Sequence, residues 1–170
     1  MNIFEAIKKR YSCRAYEDRP IEADKLGRIL EAARLAPSAK NLQDWRFVVV
    51  TEPEKKAGLA KAACDQTFLG GAGAIIVGCS NNAETMRCGQ ALGPIDVAIA
   101  MEHIALAAVE EGLATCWIGA FYTDKVRSIV GVPENVRIIE LMPIGYPADS
   151  PRPAGRVPID KIVCYEYWRF

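Results

Sequence analysis

Arg10-Tyr11-Ser12-Cys13-Arg14 places two guanidinium groups and two hydroxyls within five residues. A guanidinium fork takes a phosphate through parallel charge-assisted hydrogen bonds, so the run is suited to clamping an anion. In isolation a solvated basic turn is the plainer account. A second run, Ala36-Pro37-Ser38-Ala39-Lys40-Asn41-Leu42-Gln43-Asp44-Trp45, concentrates amides, a hydroxyl and an indole. Ser38, Asn41 and Gln43 can read the edge of a flat heterocycle while the backbone lies against its face. A capping loop is the alternative. A third, Cys116-Trp117-Ile118-Gly119-Ala120-Phe121, ends an apolar stretch in a glycine that lets backbone approach a planar ligand. Arg152 and Arg156, late in the chain, could close on the same anion as Arg10.

Other chemistries find little support. There is no phosphate-binding G-x-x-x-x-G-K-[ST] run, and Gly70-Gly71-Ala72-Gly73 precedes an apolar run instead of following one, so it suits a turn. The single histidine, His103, lies in an apolar helical segment and is expected to be a satisfied core or interface residue. The six cysteines (13, 64, 79, 88, 116 and 164) form no C-x-x-C pair, so they are expected to be buried free thiols, neither metal ligands nor disulfides.

The elements that must hold these runs follow from periodicity. Ile3, Phe4 and Ile7 form a helical stripe ending near Arg10. Leu26, Ile29, Leu30 and Ala33 predict an amphipathic helix over residues 22–35, with Pro37 just beyond its end. Strands are expected at 47–50, 73–79, 115–118 and 136–144. Thr51-Glu52-Pro53-Glu54 resembles a capping box for a helix running toward Cys64, and Thr123 is placed to cap another that closes at Gly131. Residues 95–111 are apolar almost all round, as in a helix surrounded by protein, with Gly112 following. Residues 81–94 are polar and suit a loop. Four prolines exclude a helix or central strand from the tail after Pro147, yet the tail carries Ile162, Val163, Tyr165, Tyr167, Trp168 and Phe170. Such an arm is expected to bury its aromatics on something, such as a second subunit.

At 170 residues the chain fits one domain over 1–170 with a substantial core. Its formal net charge is zero, with 51% hydrophobic and 25% charged residues. A balanced charge provides no general field for nucleic acid or anionic lipid. No run approaches the roughly 20 apolar residues of a membrane helix, and the N-terminus lacks an export signal, so a cytoplasmic protein without membrane contact is expected.

Together, R-x-S-x-R at the N-terminus, A-P-S-x-x-N-x-Q-x-W, G-L-x-T-C-W-I-G-A-F and the late I-G-Y-P stretch resemble the nitroreductase family of flavin-dependent oxidoreductases, in family order and over nearly the whole chain. The resemblance implies an α+β fold: a central, mainly antiparallel sheet flanked by helices, in an intertwined homodimer with an extended C-terminal arm over residues 147–170. It implies FMN at the dimer interface and NADH or NADPH as hydride donor to flavin N5. Electrons would then pass to a small acceptor (a nitroaromatic, a quinone or a flavin) by a ping-pong scheme that needs no protein nucleophile. Arg10, Tyr11, Ser12 and Arg14 would hold the FMN phosphate, ribityl chain and pyrimidine edge, with Arg14 giving electrostatic support. Pro37, Ser38, Asn41 and Gln43 would come from the partner subunit, Ile118 and Gly119 would approach the ring, and Arg152 and Arg156 would join the phosphate site. Gln66 is a weaker candidate for the flavin edge. Asp44 stands where the family loop usually has proline. A non-catalytic flavin-binding or storage protein, or flavin fragmentation or dehalogenation on the same fold, are the alternatives.

Overall fold

The computed structural model describes residues 1–151 and 155–170. Helix α1 (Ile3–Lys9) opens on a capping box: the Asn2 side chain accepts the Glu5 N–H and Glu5 reaches back to Asn2. Its C-cap, Arg10, is extended (φ −60°, ψ 130°), so the chain leaves the helix straight into the Arg10–Arg14 run. Helix α2 (Ala23–Arg34) buries Ile29 and Ala33. Four strands follow with helices between them: β1 (Trp45–Val50), α3 (Pro53–Ala62), β2 (Ala74–Ser80), α4 (Leu92–Glu110), β3 (Ala114–Thr115), α5 (Thr123–Val130) and β4 (Arg137–Gly145).

The strands form one sheet in the order β1-β2-β4-β3, every neighbour antiparallel. Side chains alternate across it, as the pleat requires. Ala74, Ile76, Met142 and Ile144 face α2 and α4, packing with Ile29, Ala33, Val97, Met101 and Ile104. Ile75, Val77 and Leu141 face the other way, onto Leu59 of α3 and Val126 of α5. The sheet is therefore covered on both faces, and the fold is α+β with a wholly antiparallel sheet.

Several expectations need amending. The helix at Pro53 has Glu52 as its N-cap and no side-chain cap, so Thr51 and Glu54 do not form the expected box. Proline at the first helical position presets the backbone and makes a side-chain cap dispensable. Thr123 is the first residue of α5, after an uncapped Tyr122, and is not itself the cap. Helix α4 begins at Leu92 instead of 95, absorbing the end of the expected loop. With that extra turn α4 is long and apolar enough to cross a membrane, but half of its most apolar window is buried in the fold, and here it is the central core helix. β3 is only two residues long, because beyond Thr115 the chain keeps a single pairing, Ile118 with Leu141. Cys64 and Cys88 are exposed, whereas Cys13, Cys79 and Cys116 are buried.

Gly131 ends α5 at φ +68°, with open space where a Cβ would stand. The cost of a side chain there is conformational and not steric. Gly131→Ala is expected to lower stability by about 1 kcal/mol, read by urea unfolding. A neutral result would remove the need for glycine at that cap.

Candidate functional site

The Arg10–Arg14 run is held on both sides by backbone. Ser12 bridges Thr115 in parallel, and Cys13 N donates to Thr115 O at 3.0 Å. Tyr16 bridges Pro147, Glu17 N donates to Tyr146 O at 2.9 Å, and Ala148 N donates to Ala15 O at 2.9 Å. The run is thus clamped between β3 and the segment leaving β4. Tyr11 hydroxyl donates to Asp149 O at 3.0 Å and lies 3.1 Å from its Oδ1. Burial, with Cys13 and Asp149 adding to it, pushes the Tyr11 phenol well above its ordinary range, so it stays a proton donor.

These contacts wall a cavity of about 850 Å³. Its lining contains Lys8, Lys9, Arg10, Tyr11, Ser12, Arg14, Asp149 and Arg156. Five cations therefore face one carboxylate, in a chain whose net charge is zero. Of these cations only Arg10 approaches an acidic partner among the described residues: its Nε lies 3.9 Å from Glu102 Oε1. Glu102 also accepts from Trp117 Nε1 at 3.2 Å, tying the clamp to the third motif. A local excess of cations over carboxylates attracts an anion by its electrostatics alone.

The 116–119 segment passes beside this clamp. Ile118 N donates to Leu141 O at 3.0 Å and Leu141 N returns a bond at 3.2 Å. Ile118 is only 4% exposed and its side chain joins the core, so only its backbone is free to meet a ligand. Gly119 is exposed, with nothing within 4 Å of where a Cβ would stand. Gln66 Nε2 donates to Ala63 O at 2.9 Å and to Ala120 O at 3.3 Å, which fixes it beside that glycine. Cys116 lies near Ser12, Arg14 and Arg10. Burial nevertheless outweighs them and raises its thiol pKa, so it is not a ready nucleophile.

Residues 36–44 form a separate projection. A short 3₁₀ turn spans Ala39–Asn41, and Lys40, Asn41 and Gln43 all have positive φ (51°, 55° and 53°). Both Asp96 carboxylate oxygens, on α4, accept from Ala39 N at 3.2 and 3.1 Å, and Ser38 Oγ accepts from Gln43 N at 3.0 Å. This pins a strained loop with Pro37, Asn41 and Gln43 exposed. None of the loop lines this cavity. Asp44 is buried (8% exposed) and neither carboxylate oxygen has a partner.

The structure thus gathers Arg10, Tyr11, Ser12, Arg14 and Arg156 around one cavity, leaves Ile118 and Gly119 outside its lining in the segment that runs on from Thr115, the bridge partner of Ser12, and leaves Pro37, Ser38, Asn41 and Gln43 apart. Arg152 lies outside the described residues. Sequence reasoning passed over Lys8 and Lys9, although they directly precede Arg10. It also missed Asp149, which carries no local signal, and Glu140, a lone charge in the apolar run Ile138-Ile139-Glu140-Leu141-Met142. His103 behaves as expected of a satisfied histidine, with Nδ1 3.2 Å from Ala32 O.

Comparison with known proteins agrees with the fold. The model of the Nitroreductase family matches residues 7–68 and 61–146. A protein of Archaeoglobus fulgidus is 34% identical over 148 residues, covering 85% of this chain and 84% of its own. A solved nitroreductase family protein of Clostridium difficile superposes with a TM-score of 0.89 at 36% identity, over 99% of this chain and all (100%) of that one. The NADPH:FMN oxidoreductase of Vibrio harveyi, solved in complex with NAD+, superposes with a TM-score of 0.91 at 26% identity, over 100% of this chain and 79% of that one.

Proposed function

The chain belongs to the nitroreductase family, and we propose that it is an FMN-dependent oxidoreductase that takes hydride from NADH or NADPH and passes electrons to a small acceptor, working by a ping-pong scheme as a cytoplasmic homodimer over its single 1–170 domain. The observation that carries this reading is the cavity of five cations and one carboxylate at the Arg10–Arg14 clamp. FMN, when bound, supplies the hydride-accepting and electron-delivering chemistry. The residues fit it: a phosphate needs paired cationic donors and a hydroxyl, a flat ring needs an uncluttered backbone edge, and Arg10, Ser12, Arg14 and Gly119 provide these.

The protein's own part is positional and electrostatic. Arg10, Tyr11, Ser12 and Arg156 hold the phosphate and ribityl end. Arg14, without a carboxylate partner among the described residues, is free to offset negative charge at the pyrimidine edge. Ile118 and Gly119 present backbone to the ring.

A second copy completes the site. Tyr165, Tyr167 and Trp168 on the arm are 80%, 70% and 83% exposed, and Phe4 on α1 is 70% exposed, far more apolar surface than a monomer leaves in water. Pro37, Ser38, Asn41 and Gln43 reach FMN from that partner, which accounts for their separation from the cavity of their own protomer.

The test is an anaerobic titration of the FMN-loaded protein with NADH and with NADPH. Bleaching of the flavin band, and its return on adding a quinone or nitroaromatic, is the expected result. FMN that binds but stays oxidised with both donors would make this a flavin-storage protein and overturn the enzymatic reading.

A further inference from the structure

Glu140 is the one charged residue buried in the centre of the sheet among the described residues, at 8% exposure. It stands on β4 opposite Gly78 of β2, where α4 presses in through Val97 and Met101. Its Oε1 has no hydrogen-bond partner. Glutamate is seldom kept in such a place unless paired, and no part of the site described above uses it.

Its neighbours connect it to that site. Glu140 directly precedes Leu141, whose backbone exchanges two hydrogen bonds with Ile118 and so fixes the 116–119 segment. The titratable and charged groups facing it are Glu102 from α4 and Cys116 from that segment, while β2 offers only Gly78. Arg10 and Arg14, which line the cavity, act on Cys116 in turn, and Arg10 also lies 3.9 Å from Glu102. The carboxyl therefore stands beside the strand residue that holds the 116–119 segment, and among the described residues no ion pair balances it.

We propose that Glu140 is a positioning residue whose protonation is linked to cofactor occupancy: the neutral carboxyl supports the 116–119 segment when anionic FMN is bound, and its ionisation weakens that binding. The inference rests on the FMN reading above. Burial pushes the Glu140 carboxyl up to about 8, with Glu102 adding to it and the nearby Ile118 backbone opposing it. A ligand bearing negative charge nearby raises it further, and by reciprocity the ligand binds better to the protonated form. Proton uptake on binding is the necessary counterpart.

The experiment measures FMN affinity by quenching of flavin fluorescence at pH 7 to 9.5 for the wild type and Glu140→Gln. Wild-type affinity is expected to fall about tenfold across that range, the effect of one unit of linked pKa shift. The glutamine variant, which mimics the neutral acid, is expected to keep its affinity within about twofold, well short of that unit. Calorimetry on the wild type at pH 8, in two buffers of different ionisation enthalpy, reads proton uptake directly and decides the matter if the variant does not fold. At that pH a phosphate monoester, with a second pKa of about 6, is already ionised, and the raised Cys116 thiol is already protonated. Parallel pH profiles, or no proton uptake, overturn this inference while leaving the FMN reading intact. Failure of both proteins to bind FMN at pH 7 overturns the cofactor reading, and this inference with it.

Discussion

The double variant Arg10→Ala/Arg14→Ala is expected to bind FMN about 10²–10⁴-fold more weakly than the wild type, from two charge-assisted bonds worth roughly 1.5–3 kcal/mol each. The size follows from the electrostatics. Arg14 has no competing carboxylate among the described residues, and Arg10 meets only Glu102 at 3.9 Å, so neither side chain is already neutralised. Each single variant should lose about tenfold or more, and because the two groups share one anion the losses need not add. Neither arginine belongs to the hydrophobic core, so thermal unfolding of the apoprotein should be unchanged. That separates lost binding from lost fold. FMN affinity within a few-fold of wild type would remove the clamp from the cofactor site.

A second large effect concerns stability and pH. The Glu140 carboxyl, held near 8 by burial, keeps its proton in the folded protein at pH values where the unfolded chain has released it. The folded state then binds the extra proton. Stability is greatest below the ordinary carboxylate range, falls by about 1.4 kcal/mol per pH unit between roughly 4.5 and 8, and levels off above that. Over the whole window the loss amounts to several kcal/mol, a large share of the stability of any domain of ordinary size. Glu140→Gln removes the titrating group and should flatten this part of the profile. The amide inherits a site with no hydrogen-bond partner, so the prediction concerns the slope with pH and not the absolute stability at one pH. Urea unfolding of both proteins at pH 5, 7 and 9 measures it. Equal slopes would mean that Glu140 ionises freely in the folded state.

The helices and strands were legible where one periodicity dominated. Ile29 and Ala33 repeat at helical spacing and are buried together, and the β-branched run at Val48-Val49-Val50 is a strand. The errors cluster at ends. Thr51 and Thr123 have the right chemistry for caps, but Pro53 opens one helix by its fixed φ, and Thr123 is drawn inside the other. The leading turn of α4 was hidden because Gly93 and Pro94 are poor helix formers in isolation. Proline is tolerated in a first turn, and glycine is needed there because a Cβ at 93 would run into Ser80 and the Asn82 carbonyl oxygen.

The site was legible only in its contiguous parts. Arg10, Tyr11, Ser12 and Arg14 announce themselves by falling within five consecutive residues. Asp149 meets Tyr11 across 138 positions, a contact created by the bridges at Thr115 and Pro147 and invisible to spacing. Gly119 could be picked out as a place for close approach, but the burial of the Ile118 side chain, which limits its part to backbone, emerges only from packing. Glu140 was visible as an interruption in an apolar strand, and its meaning depends on Gly78 and Ile118 standing beside it.

The most direct test is the crystal structure of the protein with FMN. The phosphate is expected within hydrogen-bonding distance of Arg10, Ser12 and Arg14, with Arg156 closing over it and Ser38, Asn41 and Gln43 arriving from a second copy of the chain. A flavin bound elsewhere, or a single protomer supplying both the clamp and the 36–44 loop, would contradict the account.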